Sequence, residues 1–329
     1  MVPAVLVAVV LAGIACAAYG VLIERHWYRL VRHRLDILPA DAPGPITVLH
    51  LSDLHIVRGS ERLRRFLTKL PRVDVTAVTG DIVGEPEAVE EAAELLSAVR
   101  GSTGSYFVLG SNDYYVPRPL NPARYFLRDP RRRRRATRGR APDLVRRLQA
   151  EGWVYLGNAV TAANVNGLPL QLMGLDDPHI DRQDLRVAAR RSIDPSSESA
   201  GLRPSPPSQR RPPFGLGVVH SPDPMPELAA LGWDLVVYGH THGGQVRMPI
   251  VGALVTNSDV PRRLVSGLVR LGDAYAHISP GLGTSKYAPF RFLCRPEATV
   301  LELRPAYAQT DAGGAVGARR SGRALSPRA

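Results

Sequence analysis

Ile46-Thr47-Val48-Leu49-His50-Leu51-Ser52-Asp53-Leu54-His55 is the stretch that decides how this chain reads. Residues 46–51 form a short, nearly unbroken apolar run, the pattern of a strand covered on both faces. An acid and an imidazole one residue apart follow directly. In α/β folds the chemistry gathers beyond the carboxyl ends of the strands, so the residues after each later strand become the ones to inspect.

Working outward, Val73 to Thr79 reads as a strand followed by Gly80-Asp81, and Tyr106 to Leu109 as one followed by Gly110-Ser111-Asn112-Asp113. Phe214 to Val219 leads into His220-Ser221-Pro222-Asp223, and Leu235 to Tyr238 into Gly239-His240-Thr241-His242-Gly243-Gly244. Helical periodicity lies between, over Glu61 to Leu70, Glu87 to Val99 and Pro142 to Ala150. Further extended segments are expected over Val154 to Val165, Leu170 to Leu175, Tyr275 to Ile278 and Thr299 to Leu303. Strands alternating with helices give an α/β class.

Each of these short motifs alone is weak. Asp-x-His recurs by chance, Gly-Asp is a common turn, and a single His is by default a core or capping residue. Five clusters, each behind a strand, are a different matter. Their carboxylate, imidazole and amide donors suit divalent Mn, Fe or Zn, whereas an all-oxygen shell suits Ca or Mg. The two cysteines, Cys16 and Cys294, exclude a disulfide framework.

Taken in order, the clusters resemble the signature of the calcineurin-like metallophosphoesterases: D-x-H, G-D, G-N-H-D/E, H and G-H-x-H. The resemblance runs over most of Ile46 to Leu303 and implies a four-layer α/β/β/α sandwich. It also implies two divalent metal ions. Asp53, His55, Asp81 and His242 would take the first; Asp81, the amide of the third motif, His220 and His240 would take the second, with Asp81 as bridge. A hydroxide bridging the ions is then the nucleophile for hydrolysis of a phosphodiester or pyrophosphate.

The third motif departs from the pattern. A gapless alignment puts Ser111 at the ligand position and Asn112 where the family has a His; a one-residue shift keeps Asn112 as ligand. The amide oxygen, the better donor to a hard divalent ion, favours Asn112. The customary His is missing in both alignments, which leaves Asp113 or a metal-bound water to act as proton donor. The expected catalytic residues are therefore Asp81, Asn112 and Asp113. His50, His179 and His277 match no motif and are expected in structural or surface roles; Asp176 and Asp177 read as a turn or a rim of the site.

From Val2 to Ile23 no residue is charged, about the length that crosses a bilayer. The following flank carries Arg25, Arg29, Arg32 and Arg34, so the positive-inside bias puts the rest of the chain in the cytoplasm, attached to the cell membrane by a single pass. A cleaved signal would carry its basic residues before a shorter apolar run. The expected domains are an anchor over 1–24, a basic juxtamembrane linker over 25–45, a metallophosphoesterase domain over 46–304, and a disordered tail over 305–329. Exposed insertions are expected at about 129–140 and 193–213.

The formal charge of +12 is almost all arginine, since Lys69 and Lys286 are the two lysines. Phosphate-bearing partners fit this, as does a proteome biased toward Arg. The run Arg131 to Arg135 reads first as a solvated loop and next as a contact for anionic lipid; it lacks the aromatic interleaving that a nucleic-acid partner would favour. Pro280-Gly281-Leu282-Gly283-Thr284-Ser285 resembles the closing segment of a membrane-associated branch of the family, which includes bacterial phosphodiesterases and lipid-precursor pyrophosphatases. That likeness raises a lipid-linked phosphoester as substrate; the alternatives are a phosphodiesterase of soluble nucleotides and a catalytically weak metal-binding membrane scaffold.

Overall fold

The computed structural model describes residues 2–117, 137–192, 212–256 and 258–306. The Arg131 to Arg135 run, two thirds of the expected insertion at 129–140, nearly all of that at 193–213 and nearly all of the expected tail lie outside the described residues.

Helix α1 (Val2–Leu22) opens the chain, followed by strands β1 (Arg29–Leu38) and β2 (Ile46–Leu51), helix α2 (Glu61–Leu67), β3 (Val75–Thr79), α3 (Val89–Ser97) and β4 (Gly104–Val108). Next come α4 (Ser111–Tyr114), α5 (Ala141–Ala150), β5 (Val154–Tyr155), β6 (Ala159–Val165), β7 (Leu168–Leu175) and α6 (Leu185–Ala188). The chain continues through β8 (Phe214–Val219), α7 (Met225–Ala230), β9 (Leu235–Tyr238) and the short hairpin β10 (Arg247–Met248) and β11 (Gly252–Ala253). It closes with β12 (Gly267–Leu271), β13 (Ala274–Ile278) and β14 (Glu297–Pro305).

The strands form two six-stranded sheets, ordered β1-β14-β2-β3-β4-β5 and β12-β13-β9-β8-β7-β6. Their inner faces meet through Ile46, Val48, Val75 and Ala77 of the first sheet and Leu216, Val218, Leu235 and Val237 of the second. The alternate residues Leu49, Leu51 and Val78 pack outward among Leu63, Ala92, Leu96 and Leu144 from the helices. On the other side Val219, Val236 and Tyr238 pack among Val187, Met225 and Leu228. The period of two along each strand thus separates three apolar layers, the filling of a four-layer α/β/β/α sandwich.

In the first sheet β2, β3, β4 and β5 run parallel, and in the second so do β7, β8, β9 and β13. Parallel strands bring their carboxyl ends to one edge, which is how motifs far apart in sequence meet.

The segment 25–45, expected as a linker, is corrected by β1. This ten-residue strand forms the edge of the first sheet, parallel to β14, with Arg29 opposite Glu297 and Arg34 opposite Glu302. Ion pairs of 2.7 Å and 3.2 Å join those side chains, so basic residues that look like a membrane flank belong to a sheet edge. The sheet begins at Arg29 rather than at Ile46. Helix α1 is long and apolar enough to cross a membrane, a property that signal sequences share.

Candidate metal centre

Three of the five clusters leave their strands through sharp turns. Asp53, His55, Asp81, His240 and His242 all have positive φ, between 44° and 67°. Such backbone costs a non-glycine residue about 1–2 kcal/mol and persists where the surroundings enforce it. Here hydrogen bonds enforce it: Asp53 N donates to Gly80 O at 3.0 Å and His55 N to Asp81 O at 3.0 Å. Gly80, at φ +86°, also lies so near the neighbouring loops that a Cβ would come within 2.5 Å of Gly110 N and 2.9 Å of His220 Nδ1. The β3 and β4 loops close on each other because that position is glycine.

Asp53, His55, Asp81 and His242 form one buried group, with a ligand atom from each within 4.8 Å of the others. His55 Nε2 and His242 Nε2 stand 3.2 Å apart, His55 Nε2 and Asp81 Oδ2 3.6 Å, and His242 Nε2 and Asp53 Oδ1 3.6 Å. Donors around a tetrahedral cation at about 2.0–2.2 Å lie roughly 3.3–3.6 Å from one another, so this group fits a metal ion.

A second group shares Asp81. His220 Nε2 is 3.7 Å from Asp81 Oδ1 and 3.2 Å from His240 Nδ1. The Asn112 amide lies 2.6 Å from Asp81 Oδ2, while its backbone N donates to Oδ1 at 2.8 Å. With a cation at the site, rotation of the amide would turn its oxygen toward the ion in place of the N–H that meets Asp81. His220 Nδ1 lies 2.6 Å from Thr79 O and donates there, so a cation that displaces the Nε2 proton would meet that nitrogen's lone pair.

The electrostatics agree with a cation site. Burial opposes the charge on Asp81, yet His220, His55 and the Asn112 N–H hold its carboxyl below the ordinary range. Burial pushes the Asp53 carboxyl up, and it lowers His55 and His242 so that both offer neutral nitrogens. Burial also opposes the charged form of His220, but Asp81, Asp177 and Asp53 outweigh it and raise its pKa to about 9. Burying carboxylates costs several kcal/mol each unless charge compensates, and a divalent ion would supply that compensation.

A sequence model of the family described as "Calcineurin-like phosphoesterase" matches residues 46–244. The chain belongs to the calcineurin-like phosphoesterase family. It is therefore a hydrolase acting on phosphoesters. It is 27% identical over 288 residues to Phosphodiesterase YaeI of Escherichia coli (strain K12), covering 85% of this chain and 90% of that protein. An uncharacterized metallophosphoesterase of Bacillus subtilis (strain 168), YkoQ, is 26% identical over 274 residues, covering 82% of this chain and 86% of the relative. Among solved structures, the phosphopantetheinyl hydrolase PptH of Mycobacterium tuberculosis aligns with a TM-score of 0.39 at 14% identity, over 78% of this chain and 96% of that one.

Within this calcineurin-like phosphoesterase, the structure places Asp113 differently from the proton donor expected of it. Its Oδ1 accepts from Ile82 N at 2.9 Å and Val83 N at 3.0 Å, and its Oδ2 from Gly110 N at 2.9 Å. Burial and the neighbouring Asp81 push its pKa up to about 7, against those N–H donors. Fully buried and tied to backbone, Asp113 clasps the third-motif loop to the Asp81 loop.

Asp177 lies at the rim of the site as one of its two sequence readings had it, and His179 and Arg291 join it there. Asp177 is buried at the end of β7, its charge felt by His220, and its Oδ2 has no hydrogen-bond partner. The half-buried His179 sets its ring 4.2 Å from that of His240. Their strand-end position in Asp176-Asp177-Pro178-His179 was the available signal. Arg291, wholly buried, donates to Pro280 O at 2.8 Å and Gly283 O at 2.6 Å, and its Nη2 lies 3.5 Å from His242 Nδ1. His50 and His277 meet between the sheets at 2.8 Å, away from the ligand set.

Proposed function

We propose that this chain is a membrane-anchored two-metal phosphodiesterase or pyrophosphatase whose substrate is a lipid-linked phosphoester. The observation that carries the reading is that both donor groups share Asp81, whose two carboxylate oxygens would serve one ion each. Asp53, His55, Asp81 and His242 would hold one ion; Asp81, Asn112, His220 and His240 would hold the other. When bound, the ions supply Lewis acidity toward phosphoryl oxygen and lower the pKa of water to yield a nucleophile near neutral pH. Manganese is the metal to try first, with iron and zinc as the other candidates of this donor set.

The protein's own groups keep the donors in place. Thr79 O orients His220, Asn112 N–H steadies the Asp81 carboxylate, and the Asp113 clasp fixes the two loops on which they stand. The third motif carries no His to protonate a leaving group, and such an acid is typically worth about 10²–10⁴ in rate. Diesters and pyrophosphates with good leaving groups are therefore preferred over alkyl monoesters.

The membrane part of the reading rests on α1 and on how it ends. The buried Glu24 accepts from Leu293 N at 2.9 Å and Cys294 N at 2.6 Å, and Cys294 Sγ lies 3.3 Å from His242 O. An anchor tied this closely to a metal-ligand loop suits a substrate held in the bilayer, on the cytoplasmic side by the positive-inside bias.

The test is hydrolysis of bis-p-nitrophenyl phosphate by the full chain supplied with Mn²⁺, beside an Asp81→Asn variant and an EDTA control. Manganese-dependent turnover lost in both controls is expected. The altered third motif also favours a second reading, a metal-binding scaffold with weak catalysis; two bound metals without turnover would select it.

A further inference from the structure

Five residues after His242 the chain enters the β10–β11 hairpin, and the character of its tip is unusual for a surface turn. Ile250 is 108% exposed and Val251 65%, with Met248 exposed beside them. Ile250 also holds φ 68°, a left-handed conformation that a β-branched residue adopts only at a cost and that Gly or Asn would take freely. A strained, fully exposed aliphatic tip points to an apolar environment beyond the protein.

The hairpin is joined to α1. Arg247 N donates to Phe292 O at 2.9 Å, the Phe292 ring lies 6.3 Å from that of Tyr19, and Arg291 N donates to Gly20 O at 3.3 Å. A Cβ at Gly20 would come within 2.6 Å of Arg291 O, so helix and loop are in direct contact. Phe290 and Leu293, on the same loop, are exposed. Around this apolar surface stand cations: exposed Arg262 and Arg263 on the turn that packs against β11, and Arg295 stacked 4.0 Å over Trp27 at the base of α1. Apolar residues beside a helix that can span a bilayer, rimmed by arginine and tryptophan, match the layering of a membrane interface.

We propose that the β10–β11 hairpin is a second membrane contact, whose Ile250–Val251 tip enters the bilayer beside α1 and seats the metal site at the headgroup level. This rests on the anchor reading of α1 and goes beyond it. Beside α1, which is already tied to the loop carrying Arg291 to Cys294, a second contact fixes which face of the domain meets the lipid. The hairpin springs from the loop that carries His240 and His242, so the fixed face is that of the metal centre. The substrate phosphoester is then reached from within the membrane plane.

The test uses the full chain reconstituted in anionic vesicles. Native Cys16, exposed on α1, carries a fluorophore in one sample and reports on the span itself; buried Cys294 is spared. In a second sample Cys16→Ala is combined with Ile250→Cys, labelled in the same way. The expected result is that both probes lose most of their emission to nitroxide-labelled lipid and little to aqueous iodide. A quenched Cys16 probe with an iodide-accessible Ile250 probe overturns the hairpin contact and leaves the anchor standing; iodide-accessible probes at both positions overturn the anchor reading and this proposal with it. A paired Ile250→Ser, Val251→Ser variant should hydrolyse soluble bis-p-nitrophenyl phosphate normally. It should lose about tenfold or more on vesicle-embedded hexadecyl p-nitrophenyl phosphate, because orientation raises effective concentration. Equal rates on both substrates, or equal losses, would contradict the proposal.

Discussion

Asp53, His55, Asp81 and Asn112 rise from the ends of β2, β3 and β4 in the first sheet, whereas His220, His240 and His242 come from β8 and β9 in the second. The first half is mostly oxygen and is braced within itself: Asp113 gathers three backbone N–H groups, and the Asn112 backbone N–H holds Asp81 Oδ1. The second half is all imidazole and is braced by the first. Thr79 O orients His220, and Asp53 accepts from His240 N at 3.0 Å. Damage to the carboxylate half should therefore spread across the site, while damage to the imidazole half should stay local.

Asp81→Asn breaks the comparison hardest, because Asp81 belongs to both donor groups. Turnover of bis-p-nitrophenyl phosphate should fall by about 10³-fold or more, with both metals bound weakly, as read by rates over a Mn²⁺ titration. His220→Ala should act on one group alone, costing roughly 10²-fold in rate while the site around Asp53, His55 and His242 keeps its ion, as metal analysis after dialysis would reveal. Equal metal loss in the two variants would erase the asymmetry.

Asn112→His sharpens the argument about proton donation. If Ser111 rather than Asn112 serves the second ion, as in the gapless alignment, rates on diesters with poor leaving groups should rise by up to about tenfold and depend less on leaving-group pKa; if Asn112 is the ligand, rate and metal should fall together. Asp113→Asn tests a brace rather than an acid: it removes one acceptor oxygen, so a loss of about 1–3 kcal/mol is expected in denaturant unfolding. An unchanged unfolding midpoint with abolished turnover would restore Asp113 as a proton donor.

The smallest expected effect lies between the sheets. Burial lowers the His50 pKa to about 3 and holds His277 well below its ordinary value, so the folded state keeps both neutral. The unfolded chain binds those protons from about pH 6.5 downward, so stability falls as pH drops from there toward 3. A His50→Gln variant should show a shallower decline in melting temperature over that interval.

Much of this was legible in residues 46–55 and the four clusters that follow the same rule. The strand ends are local signals, and the bounds of β2, β8 and β9 match the apolar runs. β1 escaped because its partner β14 lies 268 residues away in the chain, and because an edge strand bearing Arg29, Arg32 and Arg34 looks like a membrane flank. Asp113 was misread since a carboxylate in a catalytic motif gives no local hint that three N–H groups will surround it. Arg291 carries no motif; its place is set by carbonyls of Pro280 and Gly283 that only tertiary packing brings to it.

The central claim is a two-metal site assembled across two sheets, and metal stoichiometry tests it most directly. The full chain, loaded with Mn²⁺, dialysed and assayed for metal and protein, should hold two ions, and the His220→Ala variant one. A wild-type chain that hydrolyses diesters while holding a single ion, or a variant that keeps both, would contradict the account.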